Sequence, residues 1–185
     1  MRSKLALLFL AILISLPAFA AEIAGVKIED STTVNGQKLV LNGAGLRKKF
    51  FVKVYAGALY LPAKQGNAAA ILASDEPRRM AMHFVYSVSK DQMCDAWSEG
   101  LEDNTPNASA EVKGAFKTLC SLMEAIPKGN SLILTYVPGT GTSVEVNGKV
   151  KGTIPGKASA DAILATWIGP KPGPGTDFKA AVLGH

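Results

Sequence analysis

The stretch LNGAGLRKKFFVKVYAGALYLP, residues 41–62, decides the fold. It joins a Gly-x-Gly step and an arginine, Arg47, to a long segment with the alternation of a β-strand. Over residues 50–61 the side chains fall into two sets of period two. Phe50, Val52, Val54, Ala56, Ala58 and Tyr60 form an apolar set, expected to face a core. Phe51, Lys53, Tyr55, Gly57, Leu59 and Leu61 form a mixed set on the other face. Pro62 ends the strand, because it cannot donate to a ladder. Gly43 and Gly45 do not read as a nucleotide loop. A dinucleotide fingerprint needs a third glycine where Lys48 stands and a helix after it, and a phosphate loop needs Gly-Lys-Ser/Thr. The glycines are expected to serve backbone geometry, at a turn or bulge between a strand over 38–42 and the one beginning at Phe50.

Upstream, residues 24–34 read as one short strand, followed by the hairpin signal Asn35-Gly36. Downstream, Asn67 caps a short helix reaching residue 73. A strand over 78–88 places Met80, Met82, Phe84, Tyr86 and Val88 on one face. Ser89 caps a helix over 89–104, with Asp91 in its first turn and an apolar stripe of Met93, Ala96, Trp97 and Leu101. A third helix spans 108–125 and stops at Pro127 and Gly129. Strands over 131–137 and 142–146 follow, then Asn147-Gly148, a strand at 150–155, an amphipathic helix over 158–168, the loop PKPGPG and a last short helix over 177–184. Strands and helices in this order, with tight turns between neighbouring strands, argue for an α+β fold: a mostly antiparallel sheet with helices packed on one face.

The ends of the chain and its composition bound the function. MRSKLALLFLAILISLPAFA, residues 1–20, has a basic start, an apolar run too short to span a bilayer, and Ala18-Phe19-Ala20 as a small-x-small cleavage site. This is the layout of a secretory signal peptide, leaving one domain over 21–185. The expected destination is the periplasm, or the exterior. No second long apolar run follows, so no membrane span is expected after cleavage. Setting aside Arg2 and Lys4 leaves 18 basic against 15 acidic residues, a charge of +3. That is too mild to point to a nucleic-acid partner.

Cys94 and Cys120 are too far apart for a Cys-x-x-Cys motif. They read either as one disulfide of an oxidising compartment or as two buried thiols. The two histidines, His83 and His185, lack partners at ligand spacing, so no metal site is expected. No Gly-x-Ser-x-Gly elbow or Ser/His/Asp set stands out, and no cofactor is implied. Arg47 reads in two ways: a solvated turn-end cation beside Lys48 and Lys49, or a planar fork suited to a carboxylate or enolate oxygen.

Four stretches, in this order, resemble the chalcone isomerase family, in its bacterial exported chalcone-isomerase-like branch. They are Asn42-Gly-Ala-Gly-Leu-Arg47, VKVYAGALYL at 52–61, Gly152-Thr-Ile-Pro-Gly156, and ILATWIG at 163–169. The resemblance implies an open-faced β-sandwich with a ligand cleft between sheet and helices. It places Arg47 on the arginine of the plant enzymes and Tyr55 on their strand threonine. Their strand–helix tyrosine falls near Tyr86 or Asp91, their helix asparagine near Trp97, and a second hydroxyl residue near Ala160. The fatty-acid-binding members of the fold hold a carboxylate with the same arginine and a tyrosine on the next strand, as Arg47 and Tyr55 would. An eight-residue straight strand spans about 26 Å, so this pair converges only if the chain turns between Arg47 and Phe50.

The favoured reading is a monomeric, non-catalytic binder of a small lipophilic or carboxylate ligand, with Arg47, Tyr55, Tyr86 and Trp97 around it. A second is an intramolecular lyase in which Arg47 stabilises an oxyanion and Tyr55 or Tyr86 positions water. A third is an interaction module, whose cue is an exposed apolar patch near Trp167 and the PKPGPG loop.

Overall fold

Each strand of the main sheet pairs with the one before it. In the computed structural model, which describes residues 19–185 and side chains from residue 21 onward, β1 (Phe19–Ile23) and β2 (Val26–Glu29) form a separate hairpin. β3 (Ser31–Val34), β4 (Gln37–Lys49), β5 (Val52–Leu61), β6 (Arg78–Phe84), β7 (Ser131–Val137), β8 (Gly141–Val146) and β9 (Lys149–Ile154) then lie side by side in chain order as a seven-stranded antiparallel sheet. The helices are α1 (Ala68–Ala73), α2 (Lys90–Asn104), α3 (Ala110–Leu122), α4 (Lys157–Ile168) and α5 (Thr176–Val182). This is the α+β sandwich expected from the order of elements. The expected signal peptide, residues 1–20, lies outside the described residues apart from Phe19 and Ala20.

The principal core lies between the helices and one face of the sheet. Leu59, Met80, Met82, Phe84, Leu132, Leu134 and Val144 meet Met93, Trp97, Phe116, Leu119, Ile163 and Ile168 there. A smaller cluster on the other face joins Ala56, Ala58, Tyr60 and Ala81 to Ile28 of the β1–β2 hairpin and to Val34 and Leu39. Both faces of β5 are therefore buried. Tyr55, Leu59 and Leu61 of the mixed set face the principal core, and Ala56, Ala58 and Tyr60 of the apolar set face the smaller one. The expected core on the apolar side is present at Ala56, Ala58 and Tyr60, and a second, larger one lies on the mixed side. Alternation reveals two faces but not which of them receives the helices.

A correction concerns Gly43-Ala44-Gly45. There is no turn there. β4 runs unbroken to Lys49, with a bulge at Asn42, and the chain reverses at Phe50–Phe51. The glycines are needed because α5 lies directly on this part of the sheet. A Cβ on Gly43 would overlap the Ala181 carbonyl oxygen and lie 2.9 Å from backbone atoms of Val182. A Cβ on Gly57 would lie 2.6 Å from Phe178 Cζ. Asn42 pins the same contact, donating to Val182 O (2.8 Å) and accepting from Gln65 N (2.7 Å). Gly43→Ala sets a methyl against backbone that has no rotamer to change, so α5 must lift. The expected loss is about 3 kcal/mol, the upper end for overpacking. Thermal melting should fall by roughly 6–12 °C for a domain of this size. An unchanged melting temperature would show that α5 does not rest on Gly43.

Other boundaries shift locally. The single strand expected over 24–34 is broken at Asp30 into β2 and β3, and Ala24-Gly25 turns with positive φ at both residues. The strand from Arg78 stops at Phe84, so Tyr86 leaves the sheet and is exposed. Ser89 caps α2 in a reciprocal box with Gln92. Cys94 and Cys120 are joined by a disulfide that ties α2 to α3, with Cα atoms 5.1 Å apart.

Two buried phenols give the fold an alkaline limit. Burial and the nearby Glu29 charge push Tyr60 up to about 12. Burial and the Asp75 carboxylate, to which its hydroxyl donates at 2.6 Å, push Tyr136 up to about 12. Both folded-state values exceed the unfolded value of about 10. The stability they contribute is therefore complete below pH 10 and is lost as pH rises from 10 towards 12. Denaturant midpoints should be flat across pH 8–9.5 and fall above about 10. In Tyr60→Phe the fall should be shallower.

Candidate functional site

Arg47 and Tyr55 are opposite one another across the β4–β5 hairpin. The turn at Phe50–Phe51 folds the eight-residue interval back on itself, which removes the separation a straight strand would impose. The reversal comes after Lys49 rather than between Arg47 and Phe50. The Arg47 guanidinium carbon lies 6.0 Å from the centre of the Tyr55 ring. Its Nη1 donates to Gly173 O at 2.7 Å, which anchors the loop before α5. That bond uses one of its five N–H donors, and the half-buried guanidinium also acts on the Tyr55 hydroxyl.

Tyr55 is buried between Phe84 and Phe178, with ring centres 5.3 and 5.8 Å away. Its hydroxyl accepts from Trp167 Nε1 at 2.9 Å. Burial raises the phenol above its usual value, against the opposing pull of Arg47 and of the Trp167 hydrogen bond. The group therefore stays protonated at neutral pH, with its O–H still to give. It is built as a donor rather than a base.

These residues close one end of a cavity of about 320 Å³, within the range of roughly 300–1,000 Å³ usual for small-molecule sites. Its floor is the helix-facing side of the sheet, with Met82 and Phe84. One wall is α2, with Met93, Ala96, Trp97 and Gly100, and Thr166 and Trp167 of α4 line it beside Tyr55. Gly100 permits the close crossing of α2 and α4, since a Cβ there would lie 2.8 Å from Thr166 Cγ2. Trp97 and Trp167 meet edge to face at 5.2 Å. Trp97 is only 4 % exposed, and its indole N–H has no hydrogen-bond partner among the described residues. Tyr86, Phe50, Val52 and Val88 frame the mouth. Asp95, Glu99 and Asp103 line the α2 rim.

All four residues expected from sequence, Arg47, Tyr55, Tyr86 and Trp97, therefore border one cavity, although Tyr86 sits at its solvent edge. Asp91 and Ala160 do not line it. The cue of the interaction-module reading, an exposed apolar patch near Trp167 and the PKPGPG loop, is not met at Trp167, which is buried and whose N–H serves Tyr55. The sequence reading missed the Trp167–Tyr55 bond and the Gly173 carbonyl. ILATWIG marked the segment, but no sequence signal gives a hydrogen bond over 112 residues. Among the described residues no group of three or more His, Cys, Asp or Glu side chains is placed to hold a metal ion.

The family profile described as chalcone isomerase-like matches residues 20–184. Among solved structures, a fatty-acid binding protein of Arabidopsis thaliana is similar at 18 % identity. The match covers 86 % of this chain and 92 % of that one, with a TM-score of 0.66, a likeness of fold. No curated protein matches the sequence.

Proposed function

This chain belongs to the chalcone isomerase-like family, and from that premise we propose that it binds a small lipophilic carboxylate, of the fatty-acid kind, without transforming it. The carrying observation is the Arg47–Tyr55 pair, a cation and a protonated hydroxyl side by side in a cavity whose interior is lined by Met82, Phe84, Met93, Trp97 and Trp167 and whose charged residues stand at its rim. Such a pair suits a carboxylate head, and the Met, Phe and Trp lining suits its tail. Trp97 Nε1, a buried donor without an acceptor, offers a further hydrogen bond to a ligand oxygen. The Arabidopsis protein's fatty-acid binding is consistent with this reading. The chemistry of an intramolecular lyase has less support. Tyr55 is held protonated, a donor rather than a base, and the exposed Tyr86 lies at the mouth of the cavity.

Native mass spectrometry after gentle purification, followed by fatty-acid titration read through Trp97 and Trp167 fluorescence, tests the proposal. Saturable binding of a carboxylate is the expected result. Repeated recovery of ligand-free protein that gives no titration would sink it. Loss of chalcone absorbance that depends on Arg47 would overturn the non-catalytic part. An exported, periplasmic setting extends the proposal. It is supported by the signal-like residues 1–20 and by the Cys94–Cys120 disulfide, and cell fractionation tests it.

A further inference from the structure

The register of the sheet brings every large exposed apolar side chain to one end. Among the described residues these are Phe50, Phe51, Val52, Tyr86 and Val150. Phe50 and Phe51 form the β4–β5 turn. Tyr86 follows the end of β6, whose last residue, Phe84, pairs with Tyr55 near that turn. His83 pairs with Ser131 at the start of β7, and Leu132 pairs with Val146 at the end of β8. Val146 in turn pairs with Lys149, beside Val150 at the start of β9. These positions therefore share one edge, which spans about 19 Å from β5 to β9 at the usual strand spacing of about 4.8 Å.

Folding gives no reason for this composition. A two-residue hairpin turn favours Gly, Asn or Asp. Here it is Phe-Phe, with Phe50 at φ 54° and 89 % exposed, and Phe51 fully exposed. An aromatic in a left-handed conformation, with nothing packed on it, breaks the local rule at a site where no burial compensates. Lys48, Lys49 and Lys53 flank the pair, and Lys149 stands at the second hairpin. None of these lysines takes part in a salt bridge among the described residues. The turn also forms one lip of the cavity.

We propose that this end of the sheet docks on an anionic lipid bilayer, with Phe50 and Phe51 inserted at the headgroup boundary and the lysines set against the lipid phosphates. Aromatic rings with a ring of cations are the combination that an anionic interface selects. The opposite lip is acidic, with Asp95 and Glu99 exposed, so contact is confined to the hairpin side. The cavity mouth then opens at the membrane surface. Docking of this kind does not depend on the identity of the cavity's ligand.

The experiment is flotation of the chain with phosphatidylcholine vesicles, with and without about one third phosphatidylglycerol. Wild type should float with the anionic vesicles and remain in solution with the neutral ones. Association should collapse between about 0.1 and 1 M salt, as the Debye length falls from about 10 to about 3 Å. Phe51→Ser, at a position that does not line the cavity, should lose at least tenfold in association. It should keep the wild-type melting temperature and fatty-acid titration. Lys48→Glu/Lys149→Glu should lose association with the same melting temperature. Arg47→Met, which disables the proposed ligand site, should still float, so the two readings fail separately. Equal flotation of wild type and Phe51→Ser would overturn the proposal. So would a wild type that ignores anionic vesicles, including one that self-associates through this end and becomes monomeric in Phe51→Ser.

Discussion

Arg47→Met is expected to weaken binding of a long-chain carboxylate by about a hundredfold, equivalent to about 2.8 kcal/mol. The guanidinium has donors left after its bond to Gly173 O, and each charge-assisted hydrogen bond to a carboxylate is worth about 1.5–3 kcal/mol. Its half-exposed position keeps the total at the lower end, because solvent screens part of the attraction. Methionine retains the apolar stem and removes only the charge and the donors. The discriminating comparison is the alcohol of equal chain length, which has no charge for Arg47 to meet and should bind both proteins alike. Equal losses for acid and alcohol would assign Arg47 to holding the Gly173 loop rather than the ligand. No loss for either would remove the anion from the proposed function. Titration calorimetry with both ligands decides among these outcomes.

The second large effect is on stability. Cys94→Ser/Cys120→Ser should cost about 3.5 kcal/mol, the chain-entropy value for a loop of this length, since the bridged residues are 26 apart in sequence. Melting should fall by about 7–14 °C. Wild type unfolded in the presence of a reductant should match the variant. The effect should also reach the cavity. Cys94 lies one turn before Trp97 on α2, and the bridge holds α2 to α3. A looser α2 would move the wall that Trp97 and Met93 supply, so ligand affinity should fall modestly along with stability. Coincident melting of the oxidised wild type and the variant would rule out the bridge as a stabilising element.

Much of the architecture was legible in local signals. Asn35-Gly36 and Asn147-Gly148 marked hairpins where hairpins form. Ser89 and the Met93–Trp97 spacing marked α2 and its buried side. Where a turn broke the usual chemistry, reading failed. Phe50-Phe51 carries no turn signal, so the reversal was sought at the glycines instead. Those glycines answer to α5, which arrives more than 130 residues later. The face of β5 that meets the helices could not be read from its alternation for a similar reason. Both faces are covered, and only the docking of α5 on Gly57 and of the β1–β2 hairpin on the other side tells them apart.

By itself, the sequence determined the order of most of the elements and the α+β sandwich, and pointed to Arg47 as a candidate, because periodicity, caps and ordered motifs are written in adjacent residues. Only the tertiary structure decided that Arg47 stands opposite Tyr55, that Trp167 bonds Tyr55 while the Trp97 N–H has no partner among the described residues, and that the large exposed apolar side chains among them gather at one end of the sheet. Each of these depends on strand register and on helices packed across more than a hundred residues of chain. Register and packing are set by burial of the whole sheet, a long-range free energy that no short window of sequence contains.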